Sequence, residues 1–312
     1  MIETRALRGV IPVVVTPMHA DGSIDVEGQK RLIQFLVEKD VGGLWALGTG
    51  SEDMDLTFDQ RLTAARAVCE ANAGRKPLVI GAGFFALPDI KDFMDVTRDL
   101  EFDAYHVMPY HPLLSMERVA WMYRHLADYA SKPLWMYTSA NWCQAFKPDF
   151  VAGLKDHPNI AGIKFSSSNT VDQLKVMAMQ KPGFQTITAV ANQWYAALAM
   201  GSPAGTTSLA SALPEPLQEI YRLFIEGDLS NALKAQRNLM RFLAMMPKLA
   251  KRDNFLTGAD EKYMLSLRGI CGPHMSGYYR TLDEAEQEQV RKALETCGYM
   301  QFIGDEKVQA AE

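Results

Sequence analysis

The sequence predicts a (β/α)₈ barrel with a helical extension at its C-terminus. Eight β-type apolar runs alternate with amphipathic segments, at a spacing of mostly about 25 to 35 residues. Glycine, proline and hydroxyl residues punctuate the joins. After the eighth run the pattern is helical only, with no further strand signal.

The strands are expected at Gly9–Thr16, Gly43–Leu47, Leu78–Gly81, Ala104–Met108, Leu134–Tyr137, Ile160–Lys164, Gln185–Thr188 and Ala204–Thr207. Each is a short run rich in β-branched, aromatic or small apolar residues, as strands buried on both faces require. Between them, Val26–Lys39, Phe58–Asn72, Pro88–Leu100, Ser115–Ala130 and Val171–Gln180 carry helical periodicity. Thr57 and Asp89 read as helix starts, and Pro77 and Pro133 stand just before strands. Pro214–Glu226, Leu229–Leu249, Lys262–Leu267 and Leu282–Thr296 complete the helices, and Gly304–Glu312 is a polar tail. The expected division is a barrel over 1–226 and a helical extension over 227–312 packed on it.

Composition narrows the function. At 48% hydrophobic and 22% charged over 312 residues, the chain has the make-up of a globular protein. A net charge of -5 gives no basic footprint for nucleic acid. No apolar run reaches the length of a membrane span, and Met1-Ile-Glu-Thr-Arg-Ala6 lacks the layout of a signal peptide, so a cytoplasmic protein is expected. Cys69, Cys143, Cys271 and Cys297 form no C-x-x-C pair, which favours reduced thiols. The six histidines form no metal signature, His106 and His111 included, so no metal is expected.

In such a barrel the chemistry sits at the C-terminal ends of the strands. Strand six ends at Lys164, inside the apolar run Ile160-Ala-Gly-Ile-Lys164-Phe165. A buried ammonium is costly, and a desolvated lysine is readily a neutral, nucleophilic amine that condenses with carbonyls. The same pattern also fits a lysine whose ammonium reaches water at the strand end. Alternation places Ile160, Gly162 and Lys164 on one face. Tyr137 ends the neighbouring strand, where a phenol can shuttle protons. Gly48-Thr49-Gly50-Ser51-Glu52 ends strand two and offers backbone N–H groups to an anion. Tyr110 and His111 follow strand four, Ser166 follows Lys164, and Thr207 ends strand eight.

These residues resemble the N-acetylneuraminate lyase and dihydrodipicolinate synthase family of class I, Schiff-base aldolases. The resemblance runs over nearly the whole chain. It rests on Val15-Thr16-Pro17-Met18, the Gly48–Glu52 turn, Gly81-Ala82-Gly83, Pro109-Tyr110, Tyr137 and Gly162-Ile163-Lys164, in that order and spacing. It implies a homotetrameric barrel enzyme that needs no cofactor. Lys164 would form an imine with a 2-oxo acid such as pyruvate, Tyr137 would be the acid/base, and the turn would hold the acid's carboxylate.

Departures from the family bear on the substrate. Gly50 stands where a second hydroxyl residue is common. Trp142 stands where the synthase carries an arginine, and indole cannot grip a carboxylate as guanidinium does, which counts against a true dihydrodipicolinate synthase. Ala189-Val190-Ala191-Asn192 lacks the acidic pair of the sialic acid lyases. His111 replaces a common tyrosine. Ser166-Ser167 is similar to members acting on 2-keto-3-deoxy sugar acids. Trp45, Phe84, Phe85, Tyr110, Trp142 and Trp194 instead suggest an aromatic distal pocket, as in hydratase-aldolases for aryl-substituted oxo acids. The expected function is therefore a lyase, aldolase or dehydratase, on a 2-oxo acid.

Two other classes remain. Gly81-Ala-Gly-Phe-Phe-Ala86 matches G-x-G-x-x-A, as in NAD-dependent oxidoreductases, but the next strand ends Tyr105-His106-Val107-Met108 with no ribose-binding acid. The other is a non-catalytic barrel that senses a keto acid. Borohydride trapping with pyruvate separates the three, since only the aldolase forms a covalent adduct.

Overall fold

A computed structural model describes residues 5–140, 142–189, 191–248 and 258–304. The tail expected beyond Gly304 lies outside the described residues, as do Met1–Thr4, Val190 and Leu249. Eight parallel strands close in sequence order: β1 (Gly9–Val14), β2 (Leu44–Ala46), β3 (Leu78–Gly81), β4 (Ala104–Val107), β5 (Leu134–Ser139), β6 (Ile160–Ser166), β7 (Gln185–Thr188) and β8 (Ala204–Thr207). β8 returns to β1 through Gly9↔Ala204 and Ile11↔Thr206. The fold is thus the (β/α)₈ barrel that the alternating pattern predicts.

Around it lie α1 (Val26–Glu38), α2 (Phe58–Asn72), α3 (Leu87–Thr97), α4 (Met116–Tyr129), α5 (Pro148–Ala152), α6 (Thr170–Met177) and α7 (Trp194–Ala199). After β8 come α8 (Leu209–Ala212), α9 (Glu215–Ile225), α10 (Leu229–Met245), α11 (Ala259–Leu267), α12 (Glu284–Thr296) and α13 (Met300–Gly304). α9 packs against β1: a side-chain carbon on Gly9 (φ +65°) would meet the Tyr221 ring at 3.1 Å. Side-chain caps start several helices. Asp25 accepts from Gly28 N–H, and Thr57 and Gln60 form a reciprocal capping box, as expected for Thr57. α3 differs. It begins at Leu87 with Pro88 in its first turn, so Asp89 lies inside the helix and interacts with its positive end rather than capping it. α5 and α7 had no sequence signal, because five or six residues are too few to show a period.

The apolar residues divide between two layers. Ile11, Val13, Trp45, Val79, Ala104, Trp135, Tyr137 and Ile187 fill the barrel interior. Leu32, Ile80, Phe93, Tyr105, Met136, Ile163 and Phe165 pack between strands and helices. One expected face is corrected. The β5–β6 register shifts between Leu134↔Ile160 and Trp135↔Gly162. This bulge sends Ile160 to the outer layer and Ala161 to the inner one, while Gly162 and Lys164 stay inside. Gly162 is required there, since a side-chain carbon would fall 2.2 Å from the Gln185 carbonyl oxygen.

Candidate active site

Lys164 stands where the sequence places it, near the C-terminal end of β6 and 2% exposed. It pairs in register with Tyr137 of β5. Its Nζ lies 4.2 Å from the Tyr137 ring centre and 5.0 Å from that of Trp45. The π-faces attract a cation, but they replace water poorly. Burial therefore brings the amine down to about 7, with Asp53 opposing the shift. An amine in that range keeps a substantial neutral, nucleophilic fraction at neutral pH.

Tyr137 is buried, and its hydroxyl shares a 2.9 Å hydrogen bond with Thr49 Oγ1. Burial holds its phenol well above the usual range, while the Thr49 bond pulls the other way. The group is thus a neutral phenol, suited to passing a proton through a hydroxyl pair rather than resting as phenolate.

Thr49, Gly50 and Ser51 form a single 3₁₀ turn. Ser51 N–H donates to the Gly48 carbonyl and Glu52 N–H to that of Thr49, so the turn itself uses neither N–H of Thr49 and Gly50. Ser51 has a different part. It is fully buried, and its hydroxyl donates to the Val14 carbonyl at 2.6 Å and accepts from Gly48 N–H. It fixes the turn to β1 instead of facing a ligand.

Tyr110 is buried beside this group and donates to Asp53 Oδ2 at 2.7 Å. Asp53 is itself fully buried, with Arg61 Nη1 4.0 Å away. Arg61 also donates to the Gly83 carbonyl and stacks on Phe84. Burial pushes the Asp53 carboxyl up, against the pull of Arg61 and the Tyr110 bond. Trp142 is half-buried against the interior cluster that contains Tyr137.

The remaining expected residues stand apart. His111 lines an apolar cleft of about 310 Å³ with Phe85, Leu114 and Trp121, on the α3–α4 side. Ser166 pairs with Ser139 and lines a hydroxyl-rich cleft of about 290 Å³ with Lys147 and Asn169. Thr207 shares a small cavity with Trp194 and Leu217. The aromatic set also divides. Trp45 lies beneath Lys164, stacked on His106 at 4.4 Å. Trp194 donates to the Leu217 carbonyl and stacks on Tyr221 in the helix layer, and Phe84 packs on Phe58 and Phe93. Trp142 and Tyr110 are the two that adjoin the interior group from above Trp45.

The sequence reading missed Asp53, His106, Ser208, Glu261 and Lys262. Asp53 could have been found as the middle one of three acids beside the turn, Glu52-Asp53-Met54-Asp55. His106 is enclosed on β4, where its Nε2 meets the Ala46 carbonyl at 3.0 Å and burial keeps it neutral. Glu261 and Lys262 left no local signal, because their partners are distant in sequence. Lys262 pairs with buried Glu52 and donates to the His274 carbonyl, and Glu52 accepts from Ser276 N–H at 2.7 Å. Among the described residues, no three His, Cys, Asp or Glu side chains are grouped to hold a metal, and no helix is long and apolar enough to cross a membrane. None of the four cysteines is paired.

Comparisons with known proteins bear on the family and the fold. A profile of the dihydrodipicolinate synthetase family matches residues 6–297. A 4-hydroxy-tetrahydrodipicolinate synthase from Neisseria meningitidis is 26% identical over 302 residues, covering 94% of this chain and 100% of that protein. The dihydrodipicolinate synthase structure from Bacteroides thetaiotaomicron superposes with a TM-score of 0.86 at 25% identity, over 93% of this chain and 98% of its own. The N-acetylneuraminate lyase of Mycoplasma synoviae superposes at 0.82 with 22% identity, over 93% of this chain and 97% of its own, a likeness of fold.

Proposed function

The chain belongs to the dihydrodipicolinate synthetase family, whose members are class I lyases, and on that footing we propose that Lys164 forms a Schiff base with a 2-oxo acid, pyruvate being the simplest. The observation that carries this reading is a buried amine at the end of β6, set against the Tyr137 ring, whose hydroxyl is held by Thr49. The neutral amine attacks the C2 carbonyl, and water leaves to give the imine. Tyr137 supplies and recovers the protons through the Thr49 hydroxyl. The N–H groups of Thr49 and Gly50 face the acid's carboxylate. The imine then draws electrons from the adjacent carbon, which lets a C–C bond form or break, or a hydroxyl leave.

The substrate we favour is a 2-oxo acid of the 2-keto-3-deoxy sugar acid type. Trp142, half-buried on the interior aromatic cluster, supports a second reading in which the distal part is aryl or otherwise apolar. Both readings count against a dedicated dihydrodipicolinate synthase, since Trp142 lacks the charged, two-point grip of a guanidinium on the carboxylate of aspartate semialdehyde. Release of pyruvate from a panel of sugar-derived and aryl-substituted oxo acids tests the choice. Trp142→Ala should cost roughly 10²-fold in kcat/KM on the true substrate, because a buried aromatic contact is worth a few kcal/mol. Imine formation with pyruvate alone should hardly change. Trp142→Arg should favour carboxylate-bearing aldehydes. Rapid condensation of pyruvate with aspartate semialdehyde by the wild type would refute this pocket.

An imine is itself the electron sink that other aldolases take from a metal ion. Turnover should therefore persist in EDTA without added cofactor; loss on chelation, restored by a divalent ion, would overturn the mechanism. The same reading makes the chain a cytoplasmic homotetramer. Phe85 (57% exposed) and Leu113 (85%) beside the apolar α3–α4 cleft support a subunit contact there.

A further inference from the structure

Gly50 and Ser208 meet at the mouth of the barrel. Gly50 lies in the turn after β2, and Ser208 directly follows β8; both are half-buried. A side-chain carbon on Gly50 would fall 3.0 Å from Ser208 Cβ, 3.7 Å from its Oγ and 3.1 Å from Val13 Cγ1. Val13 belongs to the barrel interior. Ser208 therefore occupies the space that a side chain at 50 would take, on the inner side of the turn. Its position is not left to chance. Ser208 Oγ donates to Glu261 Oε1 at 2.7 Å, and Glu261 comes from α11, in the helices that follow the barrel.

Two facts set Glu261 apart from a surface acid. The residue is 4% exposed, and its second oxygen, Oε2, is buried with no hydrogen-bond partner. Its neighbour Lys262 is anchored to Glu52 at the end of the same turn, so α11 is tied both to the turn and to Ser208 after β8. A buried acid without a second partner is expensive unless it serves a group that needs fixing.

We infer that Ser208 is a substrate-contacting hydroxyl, which joins the Thr49 and Gly50 N–H groups on the carboxylate of the 2-oxo acid, and that Glu261 is its positioning residue. The inference rests on the proposed Schiff-base reading and adds a second strand end, together with a helix from outside the barrel, to the carboxylate site. Burial and the adjacent Asp260 push the Glu261 carboxyl strongly upward, toward its neutral form. A neutral Glu261 can give its own proton to Ser208 Oγ, which reverses their hydrogen bond and frees the serine's single O–H for the substrate anion. The arrangement also fits glycine at 50: a side chain on the turn would crowd Ser208 and Val13.

The test uses the full chain and graded borohydride trapping on Lys164, with two carbonyl compounds. Pyruvate carries a carboxylate and acetaldehyde does not. Ser208→Ala should raise the pyruvate concentration for half-maximal trapping about ten- to a hundredfold, the usual weight of a hydrogen bond to a charged group. Acetaldehyde trapping should stay at the wild-type level. Glu261→Gln, similar in shape, should shift pyruvate in the same direction by less, again sparing acetaldehyde. Exchanging the two positions, Gly50→Ser with Ser208→Gly, should recover part of the loss by returning a hydroxyl from the turn. An unchanged pyruvate requirement in Ser208→Ala, or an equal loss for both compounds, would overturn the inference. If the wild type forms no adduct on Lys164, the Schiff-base reading fails instead. Calorimetric titration of wild type and Ser208→Ala with pyruvate then decides Ser208 separately: equal affinities refute its role, and weaker binding by the variant upholds it.

Discussion

Lys164→Ala abolishes turnover and covalent trapping together if the buried amine is the nucleophile. The loss should be all-or-none, because on this reading the imine forms on that one amine. Lys155→Ala is the matched control: Lys155 lies in the turn after α5, where its Nζ pairs with Asp156. Mass spectrometry after borohydride treatment with pyruvate should place the adduct on Lys164, and an adduct on another lysine would sink the assignment. The pH dependence has a fixed sign. Burial lowers the amine to about 7, so the neutral, reactive form gains as pH rises through 7, and imine formation should slow below it. Stability follows the same linkage. The unfolded lysine keeps its ordinary, higher value, so burial of the charged form penalises the fold below about 7. That penalty is relieved as pH rises toward the unfolded value. Lys164→Met, which removes the amine but keeps the bulk, should accordingly melt no lower than wild type at pH 6. A lower melting temperature would mean that the ammonium is stabilised in the fold, against the view of a strained nucleophile.

Tyr137→Phe should cost about 10²–10⁴-fold in turnover, the range for a positioned acid or base. The substitution removes the oxygen bonded to Thr49 and leaves the ring that covers Lys164. The nucleophile thus keeps its apolar setting, and slow trapping with pyruvate should survive. That separation, with the adduct retained and turnover lost, distinguishes a proton shuttle from a residue that merely shapes the pocket. Thr49→Val should reproduce part of the loss, because the phenol's partner disappears while the residue's shape is nearly kept. Near-normal turnover in Tyr137→Phe would return the residue to packing against Trp45 and Lys164.

Much of the candidate site was legible before any fold was known. Lys164 and Tyr137 each close an apolar run, and neighbouring parallel strands in a barrel end side by side. Seven of the eight strands begin at the expected residue, and β2 begins one residue later, at Leu44. Thr49 and Gly50 were found because a glycine turn at a strand end is local information. Thr207 and Trp194 show where local reading stops. Both flank the expected site in sequence, yet they meet at a small cavity in the helix layer with Leu217. Ser208, one residue on, reaches the mouth of the barrel.

The alternation of apolar strands and amphipathic helices pointed by itself to an eightfold α/β fold, because each period reports which surface an element must bury; a doubly wound sheet shares that alternation, and the structure decided the closed barrel. The sequence also singled out Lys164 as the candidate nucleophile, since a lysine inside a buried strand carries its desolvation in the local sequence. Tertiary structure alone decided three further things. The bulge in β6 moved Ala161 inward, because register depends on the partner strand. The pleat and helix layer divided the aromatics between interior and exterior. Closure of the barrel and the return of α11 brought Glu52 to Lys262 and Ser208 to Glu261, pairs separated by most of the chain or by a helical hairpin. Such contacts depend on which surfaces face one another after folding, and no local period encodes them.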